Sequence, residues 1–174
     1  MSASDARDEV FAVLSGLIQI DRQLGNGDRS VRVAGPGEVA GEEGLVYGSS
    51  IQRIQALTTA VILAVKLKDV DSNLGVCKWL LHQLTEQLRQ TDREILWLRT
   101  HSVENRVQLH LLSLHEKGGG VEIPISQADF AQMVGATRES TSMALNRLAR
   151  AELIRLSRRS ITVLQPENLG IGLV

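Results

Sequence analysis

Apolar positions between Val10 and Val65 come in short runs. Val10–Leu14 is almost continuous, Leu17–Asp21 and Val31–Val33 alternate, and Ile51–Ala56 and Ala60–Val65 follow. Runs of this length and period predict β-strands. The breaks between them hold turn residues: Ser15-Gly16, the stretch Leu24–Asp28 with Asn26-Gly27, and Gly35-Pro36-Gly37, with Gly41, Gly44 and Gly48 beyond. Asn-Gly tolerates the positive φ of a tight hairpin. Many short, closely spaced strands predict an antiparallel sandwich or barrel, and some 55 residues are few for a closed one, so an incomplete barrel is expected.

After Val65 the period lengthens. Asp71 or Ser72 is the expected cap of a long helix. Leu74, Leu81, Leu88 and Ile95 recur every seven residues, and Cys77, Leu84, Thr91 and Leu98 follow each by three. Such an a/d stripe predicts a two-stranded coiled coil that pairs two copies of the chain. The competing reading lays the helix on its own domain's core; the polar remainder (Lys78, Gln83, Glu86, Gln90, Arg93) favours the dimer. A helix of about 29 residues would span roughly 43 Å.

A third segment begins at Ser102, the expected cap of an amphipathic helix carrying Val103, Val107, Leu109, Leu111, Leu112 and Leu114 and ending at Gly118–Gly120. Val121–Ile125 reads as a short strand that Pro124 places near an edge. Ser126 caps a short helix with Phe130, Met133 and Val134 inward. Gly135 is a hinge, and Thr137 caps a second helix that packs through Thr141, Ala144, Leu145 and Leu148. Ile154–Leu156 and Ser160–Leu164 form a hairpin around Ser157–Arg159, which completes a winged helix-turn-helix. The second helix opens with a cation, a carboxylate and hydroxyls: Arg138, Glu139, Ser140. Those groups suit the N-terminal end of a recognition helix in the DNA major groove.

Composition narrows the function. Aromatics make up 3% of the 174 residues, so cores must rely on Leu, Val, Ile and Ala. The single cysteine, Cys77, excludes an internal disulfide and a multi-thiolate cluster. At a d position it reads as a small apolar core residue. No signal peptide is visible, the longest apolar run is strand-sized, and a cytoplasmic protein without a membrane partner is expected. A net charge of −1 conceals an asymmetry: residues 1–50 hold eight acids and four bases, whereas residues 137–159 hold six arginines against Glu139 and Glu152. A basic C-terminal module suits a phosphate backbone, although solvated arginines on a helix face give the same count. Of four histidines, His110 and His115 share a helix but lack carboxylates at metal spacing, and no nucleophile triad, P-loop or HExxH run is present. Neither catalysis nor a metal is expected. A protein-interaction module, pairing the coiled coil with a full-length paralogue, is the alternative to a homodimer.

From about residue 10 to 165 the chain resembles the Crp/Fnr family of bacterial transcription regulators. The likeness is carried by Ser126–Val163 and by Gly35-Pro36-Gly37, Gly41-Glu42 and Leu45, in that order and spacing. It implies an α+β fold: a partial antiparallel β-roll of jelly-roll type (1–70), a dimerisation helix (71–100) and a winged helix-turn-helix (101–174). A complete roll has roughly fifty further residues before Val10, so its opening strands are expected to be missing or replaced, with the dimer partner as one replacement. In cyclic-AMP-binding relatives an Arg-Ser pair holds the phosphate; here Ser50-Ile51 stand there. Gly41 and Glu42 match the ligand segment, Thr91 matches a base-contacting threonine, and Asp92 replaces a serine. Without the guanidinium, and beside acids at 42, 43 and 92, cyclic-nucleotide binding is not expected. Glu42 and Glu43 are read instead as a solvated loop. Haem and iron–sulfur sensing find no ligand set, Cys77 and His82 being haem ligands in name only, so no cofactor is expected. The resemblance implies base reading by Arg138, Glu139 and Met143. It also implies phosphate contacts from the Val103 amide and from Ser126, Thr137 and Ser140, while Arg158 and Arg159 join on charge alone. Double-stranded DNA carrying an inverted repeat and RNA polymerase are the implied partners.

Overall fold

The computed structural model describes residues 9–23, 29–47, 52–120 and 122–170. They form two compact units, one up to Arg93 and one from Glu94. Among the described residues no helix is long and apolar enough to cross a membrane.

The first unit is the antiparallel β-roll expected from the short apolar runs. Its strands are β1 (Glu9–Ser15), β2 (Ile18–Gln23), β3 (Arg29–Ala34), β4 (Val39–Ala40), β5 (Gln52–Ala56) and β6 (Val61–Lys66). They build two three-stranded sheets, ordered β4-β1-β6 and β3-β2-β5. β1 has core on both faces. Val13 packs with Ile18, Ile20, Ala34 and Ala40. Val10 and Ala12 pack with Val39 and Leu80. This explains why the β1 run is almost continuously apolar rather than alternating. β2 and β3 pair from Ile18↔Ala34 to Gln23↔Arg29. The Leu24–Asp28 connection itself lies outside the described residues, as does Ser50.

Two expectations here are overturned. Glu42 and Glu43 are not a solvated loop: Glu43 opens the short helix α1 (Glu43–Tyr47) and forms an ion pair with Arg22. Nor does Asp71 or Ser72 cap the long helix. Both belong to a separate turn of helix, α2 (Leu67–Ser72), after which Asn73 adopts extended backbone. Asn73 Oδ1 then accepts from the amides of Gly75 (2.9 Å) and Val76 (3.2 Å), capping α3 (Leu74–Thr100).

α3 carries apolar residues on two faces. Leu80 is buried in the roll's core, and Trp79 and Leu84 pack against it. The a-position residues turn away: Leu74 is 69% exposed, Leu81 64%, Leu88 61% and Ile95 47%. Cys77 and Thr91 are exposed beside them, as is Leu98. The helix thus lies on its own domain's core along one face, toward which Leu84 leans, and carries the heptad row uncovered on the other.

The second unit contains α4 (Val103–Lys117), α5 (Gln127–Val134), α6 (Arg138–Arg150) and the hairpin β7 (Ile154–Ser157) and β8 (Ser160–Val163). Its core is built from side chains such as Val107, Leu111, Leu114, Phe130, Leu145 and Ile161. The strand expected at Val121–Ile125 does not form. Val121 lies outside the described residues, and only Ile123 bridges, exchanging two 2.9 Å hydrogen bonds with Ile161. Pro124 has no N–H with which to extend the ladder.

The apolar face of α4 includes two charged-type residues, Arg106 and His110, both buried. Burial first, then the charges of Arg106 and Lys117, pulls His110 down from 6.5 to about 4. The ring is therefore neutral when folded and protonates on unfolding between pH 6.5 and 4. Its contribution is intact above pH 6.5 and is lost as pH falls toward 4, by up to about 3 kcal/mol. Urea unfolding of this unit should show that acid limb, and in His110→Gln the slope between pH 6.5 and 4 should flatten. An unchanged slope would assign the limb to other groups.

Candidate nucleic-acid interface

Short-range hydrogen bonds shape the helix-turn-helix. Ser126 Oγ accepts from the Asp129 amide at 3.1 Å and donates to Asp129 Oδ2 at 2.7 Å. Thr137 Oγ1 accepts from the Ser140 amide at 3.2 Å and donates to Ser140 Oγ at 3.0 Å. Gly135 closes α5 with φ +65°, ψ +45°, the left-handed conformation that suits glycine. Thr141, Ala144, Leu145 and Leu148 are buried, so the opposite face of α6 points outward.

On that outward face Arg138, Glu139 and Ser140 are exposed in the first turn, and Met143 is 60% exposed one turn later. Two residues that sequence reasoning passed over share the face: Ser142, and Asn146, whose Nδ2 donates to the Ser142 carbonyl at 2.8 Å. Their signal was the spacing, since Arg138, Ser142 and Asn146 lie at i, i+4 and i+8 and so form one row. Asn is a bidentate partner for adenine, as Arg is for guanine.

The other basic groups divide by surroundings. Arg158 and Arg159 are exposed in the turn between β7 and β8, and Arg150 is exposed at the end of α6. Arg147 is not simply solvated, because its Nη1 donates to Glu104 Oε2 of α4 at 2.8 Å. Val103 is the first residue of α4, where backbone N–H groups have no intrahelical acceptor. Of the hydroxyls assigned to phosphate, those of Ser126 and Thr137 already donate within their caps, whereas Ser140 accepts from Thr137 and keeps its own hydrogen available.

In the roll, the segment around Gly41 and Glu42 is hydrogen-bonded to two glutamines of the same chain, while Glu42 Oε2 and Gln87 Oε1 are buried without a partner among the described residues. The Gly41 amide donates to Gln52 Oε1 at 3.0 Å. Glu42 Oε1 accepts from Gln52 Nε2 at 3.3 Å and from Gln87 Nε2 of α3 at 3.1 Å. Thr91 and Asp92 are exposed on α3, and Thr91 Oγ1 donates to the Gln87 carbonyl. Sequence reasoning found Gly41 and Glu42 but not the two glutamines, whose partners lie up to 45 residues away.

A β-roll, a long helix and a winged helix-turn-helix with an outward polar recognition face define a DNA-binding transcriptional regulator, not an enzyme. The chain belongs to the Crp/Fnr family: residues 105–170 match the Crp-like helix-turn-helix domain and residues 1–74 the cyclic nucleotide-binding domain. It is 28% identical to the cyclic AMP receptor protein of Thermus thermophilus, over 97% of this chain and 82% of that one. It is 27% identical to the CRP-like cAMP-activated global transcriptional regulator of Mycobacterium tuberculosis, over 94% of this chain and 79% of that one. The crystal structure of a CRP/FNR-family transcriptional regulator from Thermus thermophilus matches with a TM-score of 0.77 at 26% identity, covering 95% of this chain and 88% of that one.

Thr137 sets the first turn of α6. Thr137→Ala should lower stability by about 1 kcal/mol, the usual value of an N-cap hydroxyl. Urea unfolding would measure it, and an unchanged midpoint would mean that the Ser140 amide finds an equal acceptor in water.

Proposed function

We propose that this regulator binds an inverted-repeat operator as a homodimer joined along α3, and that it does so without cyclic AMP. The observation that carries this reading is the exposed row Leu74, Leu81, Leu88 and Ile95 on a helix whose other face its own roll already holds. A second copy offers the same row, and a parallel a/d seam with Cys77, Thr91 and Leu98 would cover it. Leu84 serves both the seam and the roll. Two recognition helices then address half-sites about one helical turn apart.

Within each half-site Arg138 donates both guanidinium arms to guanine O6 and N7, and Glu139 accepts from cytosine N4. Met143 offers apolar contact alone and favours a thymine methyl. Ser126, Thr137, Ser140, the Val103 amide, Arg158 and Arg159 line the phosphate path, with Ser140 and the two wing arginines the readiest donors. RNA polymerase is the further partner that the family likeness supports, and the cytoplasm, where bacterial DNA lies, is the expected site of action.

Independence from cyclic AMP rests on the internal hydrogen bonds of the Gly41-Glu42 segment. A cyclic phosphate placed there would have to displace Gln52 from the Gly41 amide and lie beside the Glu42 carboxylate.

Selection of bound duplexes from a random pool, with and without cyclic AMP, tests these claims together. The expected product is one inverted repeat, recovered equally in both arms; asymmetric sites or a requirement for the nucleotide would overturn the reading. On the selected site Arg138→Ala should weaken binding by about 1–3 kcal/mol while leaving random DNA almost unaffected.

A further inference from the structure

Arg106 is an arginine in the middle of an apolar helix face, and every arm of its guanidinium is engaged. Nε donates to the Val134 carbonyl at 3.0 Å, and Nη2 to the Gly135 carbonyl at 3.0 Å. Nη1 donates to the His101 carbonyl at 3.1 Å. Val134 and Gly135 are the end of α5 and its left-handed cap, where carbonyls lack intrahelical donors and a cation is favoured by the helix dipole. His101 follows the last residue of α3. One buried side chain thus connects the end of α3, the first turn of α4 and the turn that leads into α6.

Two further contacts lie at the same junction. A Cβ built on Gly135 would stand 2.6 Å from Leu98 Cδ2, so the turn sits directly against the last part of α3. Trp97 meets the His110 ring edge-on at 5.4 Å between centroids and 85° between planes.

We propose that Arg106 is a positioning residue for operator binding: it fixes the α5–α6 turn to the end of α3 and so sets the aim of the recognition helix. The inference rests on the dimeric reading above. Where two heads are joined through paired helices, engaging the second half-site is an intramolecular step whose strength depends on geometry. A rigid fork that holds three carbonyls at fixed angles keeps that geometry, whereas an ammonium is a single point of attachment. Loosening it lowers the effective concentration of the second head without altering the base-reading groups.

Full-length wild type, Arg106→Lys and Arg106→Gln would be compared at one salt concentration. Each would be titrated with the selected palindrome and with the same duplex after one half-site is scrambled. Both Arg106 variants should lose at least about tenfold on the palindrome and less than about threefold on the single half-site. Arg106→Gln removes the buried charge and serves if the lysine variant melts below the assay temperature. Equal losses on both duplexes would overturn the proposal, since Arg106 would then only support the fold of the head; so would unchanged binding to both. If wild type itself shows no preference for the palindrome, the dimeric reading fails and this inference falls with it.

Discussion

α3 has two apolar faces, and this chain alone buries only one of them. Leu80 lies in the roll's core with Val10, Ala12 and Val39, while the row from Leu74 to Ile95 stays largely in contact with solvent. Four aliphatic side chains at heptad spacing would each gain roughly 1.5–3 kcal/mol from full burial, although partial exposure and ordering reduce that sum. Association is the direct way to recover it. Under the proposed pairing, the same helix that completes the roll would also govern how many reading heads are presented to DNA. Polar replacement along this row would separate the two roles, because Leu80, Trp79 and Leu84 would still hold α3 to the roll.

The second constraint is polar. The Gly41-Glu42 segment is part of the domain type that binds cyclic nucleotides elsewhere, yet here the Gly41 amide bonds to Gln52, and Glu42 Oε1 accepts from Gln52 and Gln87. Gln87 belongs to α3, so a side-chain hydrogen bond already joins the roll segment to the long helix. An internal bond of this kind carries no ligand dependence of its own. On the proposed reading, it would make the state of the roll a property of the chain rather than of a diffusible anion.

What could be read from the sequence was local. Ser102, Ser126 and Thr137 cap their helices as expected, because a cap bonds to an amide three residues ahead and the spacing is visible in the chain. The strands of the roll were legible from apolar runs of strand length, and α6's packing face from its helical period. Asn73 escapes a reading of the sequence because the cap signal at Asp71 and Ser72 sits one to two residues earlier, inside a turn of helix that has no apolar period of its own. Pro124 was read as marking an edge, but one missing N–H ended the ladder altogether. Glu42's glutamine partners, the Arg147–Glu104 pair and Arg106's three carbonyls join residues from 5 to 45 apart, and no period records such partnerships.

Specificity at the proposed interface depends on which polar groups the fold leaves free. Arg147 carries the same charge as Arg138, but its guanidinium is held by Glu104 of α4, so it contributes to the α4–α6 contact before it can contribute to DNA. Arg138 and Glu139 occupy the first turn, beyond the packing face, and keep their side chains exposed. Asn146 is tied to Ser142 by a bond that a base edge could replace at small net cost, since exposed side-chain hydrogen bonds compete with water on nearly equal terms. In the proposed interface, base reading would therefore fall to the N-terminal half of α6 and to the row beneath Arg138, and the basic groups of the wing would make backbone contacts that position the helix without selecting sequence.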